Sequence, residues 1–186
     1  MDKIKLGAKP YLFPMPVLLV GANVEGKPNF LAVSYAGIVG DTPPTITIDI
    51  ARDHLTTKGI VANATFSVNL PSAAMLELTD YCGTYSGMEV DKSGLFKVFY
   101  GVLGNAPLIT ECPLNLECKV RQVVDGELFF GEIVESYSEK RFLTNGVLDI
   151  AKLNPIMFSI SQDSYWRLGA FLGKAYDIGK GYGKKS

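Results

Sequence analysis

The chain of 186 residues carries 18 basic and 19 acidic side chains, a formal charge of −1, with 47% hydrophobic and 20% charged residues. That composition belongs to a globular protein with a real core, and the length fits one domain. It excludes a nucleic-acid binder that works through a global positive field, and no apolar run is long enough to span a bilayer. Three cysteines with no Cys-x-x-Cys, and a single histidine, argue against a disulfide scaffold or a zinc site and fit a reducing cytoplasm.

Lys3, Lys5 and Lys9 precede an apolar run from Tyr11 to Ala22, imitating the basic start of an export signal. Pro14 and Pro16 would break a helical core there, so residues 17–20 read as a buried strand that begins after a proline. Asn23 to Asn29 carries the Gly and Asn chemistry of a hairpin turn, and residues 30–39 read as the returning strand. Ala32, Ser34, Ala36 and Gly37 mix small residues into it, which leaves room either for a ligand against the backbone or for tight sheet packing. After the turn at Asp41-Thr-Pro-Pro44, Ile46, Ile48 and Ile50 alternate with Thr45, Thr47 and Asp49 as a strand with one buried face. Alternation stops at Ala51. Arg52, Asp53, His54, Thr56, Thr57 and Lys58 follow and lead into a short helix capped by Asp53 or Thr56. Free N–H groups at such a helix start, with Arg, Lys and Thr around them, suit a phosphate; a capped and solvated helix start is the plain alternative.

Thr65 to Leu70 alternates as a strand, and Pro71 and Ser72 end it and cap a helix over residues 73–79. Tyr81 to Lys92 is rich in turn formers and reads as a loop. In it Ser86 and Gly87 offer a hydroxyl and an open backbone, and Lys92 a charge for phosphate, while Glu89 and Asp91 suit pairing with lysines. Leu114, Leu116, Cys118 and Val120 alternate with Asn115, Glu117, Lys119 and Arg121, Asp125-Gly126 turns the chain, and residues 128–134 return, which is a hairpin. Cys118 falls on its apolar face and reads as core, whereas Cys82 lies in the polar loop. Residues 143–151 suit a short helix or strand, and residues 156–160 a last strand. Tyr165, Trp166, Phe171, Tyr176 and Tyr182 either anchor the core or cover a partner subunit or planar ligand. Lys174, Lys180, Lys184 and Lys185 make a basic, glycine-rich tail. No phosphate-binding P-loop and no Gly-x-Gly-x-x-Gly fingerprint is present.

Several of these pieces recur in one order: residues 16–20, Lys27-Pro-Asn29, Pro43-Pro44, Arg52 to Thr57, Phe66-Ser-Val-Asn69, Cys82-Gly83, and Ser86-Gly87 spaced before Asp91-Lys92. In that order the chain resembles the flavin reductase-like family, its flavoredoxin branch in particular, over nearly its whole length. The resemblance implies a mainly β fold, an FMN-binding split β-barrel with short helical insertions, as a single domain over residues 1–186. It implies a cytoplasmic homodimer that binds FMN near the subunit interface. Asn29, Leu31, Ala32 and Ser34 would line the flavin; Ala51, Arg52, His54, Thr56 and Thr57 would hold its phosphate; Ser86, Gly87 and Lys92 would close over it. A histidine at position 54 departs from the family's usual pattern.

Flavin carries its own redox chemistry, so no acid–base pair is required, and none stands out. The activity implied is reduction of flavin by NAD(P)H, or passage of electrons between bound FMN and another redox protein. A non-enzymatic flavin-binding or electron-carrier protein on the same barrel is the alternative. No metal, nucleic acid or membrane enters this reading, and no His or Met stands out as a heme ligand.

Overall fold

The computed structural model, which describes residues 2–180 and 182, begins with an exposed arm. A short strand β1 (Met15–Pro16) leads into β2 (Leu18–Val24). The second part of the apolar run that imitated an export signal, residues 15–22, is therefore strand and core, with Val17, Leu19 and Val20 at most 1% exposed, while Tyr11, Leu12 and Phe13 before it are exposed. Glu25 and Gly26, at φ 50° and 80°, make the two-residue turn into β3 (Lys27–Val33). The single strand expected over residues 30–39 is in fact two. The chain bends at Ser34 and Tyr35, where Ala36 N–H donates to Ser34 C=O at 3.0 Å. Beyond the bend, β4 (Ala36–Asp41) pairs with β5 (Pro44–Asp49) and not with β2. Small residues at the bend let the backbone leave one edge of the sheet and begin the other.

Helix α1 (Leu55–Asn63) starts with His54 as its N-cap, and no side chain caps it, contrary to the expected Asp53 or Thr56. Thr56 lies inside the first turn and its hydroxyl is taken by Asn29. The helix lies against the β2–β3 hairpin at Gly59, where an added Cβ would sit 2.6 Å from the Asn23 carbonyl. Strand β6 (Thr65–Leu70) has the expected bounds. One 3₁₀ turn (Ala73–Met75) then leads into α2 (Leu76–Thr84), so Tyr81 to Thr84, read as loop, are helical. Burial explains the difference: Thr79 and Cys82 point into the protein and reward a helix that local polarity alone would not support.

Strands β7 (Val98–Tyr100) and β8 (Pro107–Ile109) form a small hairpin. The long hairpin of β9 (Leu114–Val124) and β10 (Leu128–Ser138) turns at Asp125 and Gly126 as expected. Residues 143–151 hold β11 (Leu143–Thr144), β12 (Val147–Leu148) and the start of α3 (Ile150–Leu153), whose N-terminus Asp149 caps. Strand β13 (Ile156–Ser159) is not the last: β14 (Ser164–Arg167) pairs with it, and β1 with its other side. Phe171, Tyr176 and Tyr182 are exposed; Lys184 and Lys185 lie outside the described residues.

Seven strands form one antiparallel sheet in the order β3-β2-β6-β9-β10-β5-β4. Its two edges, β3 and β4, are joined by Ser34 and Tyr35 alone, and a link that short reaches about 10 Å. The sheet must therefore curl until its edges approach, enclosing a core that includes Val20, Ile46, Ile48, Ile60, Phe66, Val68 and Phe129. On its outer face a second cluster, Leu19, Phe30, Cys82, Phe96, Ile109 and Cys112, sits under α2 and the β7–β8 hairpin.

A buried polar network ties that hairpin to the sheet. Asn69 donates to Leu19 C=O and Ser67 Oγ, both at 2.9 Å. Its Oδ1 accepts from Ile109 N–H at 2.9 Å and Asn115 Nδ2 at 2.8 Å. Glu117, fully buried, accepts from the N–H groups of Val102 and Leu103 and from the Tyr137 hydroxyl. The polar face expected for β9 is thus buried at one end, because the β7–β8 segment supplies its partners.

Candidate functional site

The residues singled out from the sequence gather around the first turn of α1, which forms a ridge between two clefts. The larger, about 840 Å³, is lined by Asn29, Leu55, Gly87 and Lys92; the smaller, about 360 Å³, by Leu31, Ala32, Ser34, Ala51 and His54. Both volumes suit a small-molecule site.

Strand β3 is an edge strand. Val24 and Lys27 flank its two-residue turn and pair, as do Ala22 with Asn29 and Val20 with Leu31. Hydrogen-bonded pairs alternate along such a hairpin, so Pro28, Phe30 and Ala32 direct their backbone groups away from β2. Pro28 has no N–H to offer, and the Phe30 carbonyl accepts from Lys92 Nζ at 3.2 Å. The N–H and C=O of Ala32 have no partner among the described residues. Across the ridge, the N–H groups of Leu55, Thr56 and Thr57 are likewise unpartnered among the described residues, and the first turn holds no acidic side chain. This end of the helix carries partial positive charge.

Two hydroxyls hold that turn in place. Asn29 Nδ2 donates to Thr56 Oγ1 at 2.8 Å, tying β3 to α1, and Thr57 Oγ1 donates to Ala51 C=O at 2.8 Å. Gly87 lies over Asn29, since an added Cβ would be 2.6 Å from its Oδ1. Ser86 organises the same loop, its Oγ accepting from Met88 N–H at 3.1 Å. Asp91 pairs with Lys27 at 3.5 Å, joining the loop to the β2–β3 hairpin.

The cations fall differently from their expected places. Arg52 donates to Asp125 C=O and lies 3.6 Å from the Glu127 carboxylate, so it is latched onto the β9–β10 turn. Lys92 is 1% exposed and gives two of its three donors to carbonyls, Phe30 and, at 2.8 Å, Cys82. Burial pulls its pKa below the usual lysine range. Cys82, beside it, has its thiol pushed up to about 11 by burial, against the pull of the Lys92 charge. The other two thiols are also raised by burial.

Sequence reasoning missed Leu55, Tyr35, Gly83 and Glu127 as parts of the two clefts. The Asp125-Gly126 turn was legible, but nothing local says that it folds back onto Arg52. Among the described residues, no group of three or more His, Cys, Asp or Glu is placed to hold a metal, and no helix is long and apolar enough to cross a membrane.

Residues 11–149 match the family model of the flavin reductase like domain. The chain belongs to that family. Among solved structures, it is similar to flavoredoxin from Methanosarcina acetivorans, at 44% identity and a TM-score of 0.94, covering 98% of this chain and 100% of that one. It is similar to flavoredoxin of Desulfovibrio vulgaris (Miyazaki F) at 32% identity and a TM-score of 0.91, covering 96% and 100%. An FMN-binding protein from Thermus thermophilus, 22% identical with a TM-score of 0.77 over 93% of this chain and 99% of that one, shares the fold. The mainly β, split-barrel architecture is that of this flavin reductase-like family.

Proposed function

We propose that the protein is an FMN-dependent oxidoreductase of the flavoredoxin kind, taking electrons from NAD(P)H or a redox protein and passing them on through bound FMN. The observation that carries this reading is the open backbone of β3 at Ala32 beside the uncapped start of α1. One offers an in-line donor and acceptor to the edge of a planar heterocycle, and the other offers N–H groups to a phosphate.

FMN supplies the redox chemistry when bound, as a hydride or single-electron acceptor. The chain's residues bind, orient and enclose it. Leu31, Ala32, Ser34 and Ala51 wall the ring end. Leu55, Thr56 and Thr57 present their N–H groups to the phosphate, with the Thr56 hydroxyl held by Asn29. Ser86 and Gly87 form the cover. Arg52 shapes the site through its latch on the β9–β10 turn, and Lys92 holds β3 against α2.

Residues 1–186 act as one domain of a cytoplasmic homodimer in this reading. The exposure of Ile4 (81%), Leu12 (78%), Phe171 (81%) and Leu172 (90%) supports a partner subunit. Light scattering of the flavin-loaded protein should give twice the chain mass; a monomer would count against it.

The protein should purify yellow, with FMN in the acid-precipitated supernatant, and anaerobic NADH or NADPH should bleach the flavin band. A colourless protein that does not quench added FMN would end the flavin reading. Bleaching by neither nucleotide, with fast reduction by a ferredoxin-like donor, would favour a pure electron carrier on the same barrel.

A further inference from the structure

A third cleft lies apart from the two around α1. It encloses about 450 Å³ between β7 and the far end of β10, and its lining includes Lys97, Phe99, Glu111, Asn115, Tyr137 and Arg141. Strand β10 has 11 residues, so about 35 Å of strand separates this end from Glu127 in the smaller cleft. Asn115 and Tyr137 are cross-strand partners and share a face of the β9–β10 hairpin. Asn115 is 3% exposed, and its amide orientation is fixed, because Nδ2 donates to Asn69 Oδ1 and to Ile109 C=O, both at 2.8 Å. Its Oδ1 accepts from no described group. Since no enclosed side-chain oxygen or nitrogen among the described residues lacks a partner, that oxygen opens on the cleft it lines.

We propose that this cleft is a site for a free α-amino acid, independent of the flavin site. Asn115 Oδ1 is an acceptor only, so the floor takes an N–H donor, which the ligand's ammonium supplies. Phe99 and Tyr137 wall the cleft with ring centroids 5.6 Å apart and planes at 87°. Rings so placed suit a cation or an aliphatic side chain and offer no parallel faces to sandwich a flat base. At the mouth, Lys97 Nζ has no partner among the described residues, and Arg141 is held by Glu139 and by the Phe142 ring. These two cations take the ligand's carboxylate through charge-assisted bonds. Glu111 accepts from Lys97 N–H at 3.0 Å through Oε1, which leaves its other oxygen to the ammonium. Lys97 and Arg141 balance Glu111 and Glu139, so the mouth suits a zwitterion, whereas a nucleotide's phosphates would meet two carboxylates there.

Calorimetric titration of the protein as purified with the common free L-amino acids tests this. At least one should bind with a Kd of about 1 mM or tighter. Its N-acetyl form, which has no ammonium, and its carboxamide, which has no carboxylate, should each bind at least about tenfold more weakly. Lys97→Met should weaken the parent amino acid to the same extent. The Lys97 side chain is exposed and its ammonium holds no described group, so this variant should melt as the wild type does. The N-acetyl and carboxamide titrations use the unaltered chain and decide without it. The assignment is overturned if no amino acid binds at about 10 mM or if either derivative binds as well as its parent. Undiminished affinity in Lys97→Met, tighter binding of AMP, or displacement of the amino acid by added FMN would overturn it too.

Discussion

Two polar regions lie within this barrel, and they differ in whether they close on themselves. At the β9 end, Asn69, Asn115 and Glu117 are at most 3% exposed, and the β7–β8 segment answers them with backbone groups, joined by the Tyr137 hydroxyl of β10, with Asn115 Oδ1 alone left over. At the β3 end, Ala32 and the first turn of α1 keep backbone donors and acceptors without partners among the described residues. Buried polar groups with partners fix a loop in place. Those left open in a cleft are capacity for a ligand.

The strongest test of that contrast is Glu117→Ala. It strands the Leu103 N–H group, leaves the Val102 N–H only the Tyr137 hydroxyl and takes that hydroxyl's acceptor away, and should lower stability by about 3 kcal/mol. FMN affinity of the folded protein should be unchanged. Urea unfolding alongside flavin titration checks both; a stability loss below about 1 kcal/mol, or a selective loss of FMN affinity, would erase the distinction.

Lys92 tests the border between the regions, being buried like the first and adjacent to the second. The sequence pattern suggested a direct bond from its ammonium to phosphate, while its two carbonyl partners make it a clamp on β3. Lys92→Met should weaken FMN and riboflavin together, each by about tenfold. A loss confined to FMN would restore the direct contact.

The smallest effect concerns Tyr165 of β14, which donates to Asp80 of α2 at 2.7 Å, on neither polar region. Burial first, then the Asp80 bond and charge, pushes its phenol from 10.0 to about 12. A phenol pKa raised on folding gives stability that is full below the unfolded value and lost as pH climbs through the folded one. Tyr165→Phe should therefore lower stability at pH 7 by about 0.5–1 kcal/mol, the worth of the lost Asp80 bond, and flatten the stability loss between pH 10 and 12. An identical alkaline profile in thermal melts of the two proteins would remove Tyr165 from the account.

What the chain specified by itself was local. Alternation at Ile46 and Ile48, the Gly-containing turns at residues 25–26 and 125–126, and the bounds of Thr65 to Leu70 were legible because each depends on a residue and its near neighbours. The gathering of Asn29, Thr56, Gly87 and Lys92 was legible only through the family's motif order. Tertiary structure decided what each group faces. It split residues 30–39 between the sheet's two edges, buried the polar side of β9 under the β7–β8 segment, and drew Tyr81 to Thr84 into a helix. It also latched Arg52 onto a turn more than seventy residues away and left His54 open. A side chain's chemistry is set by its type, but whether its hydrogen bonds are already taken depends on segments distant in sequence, and at this site that decides which groups remain for a ligand.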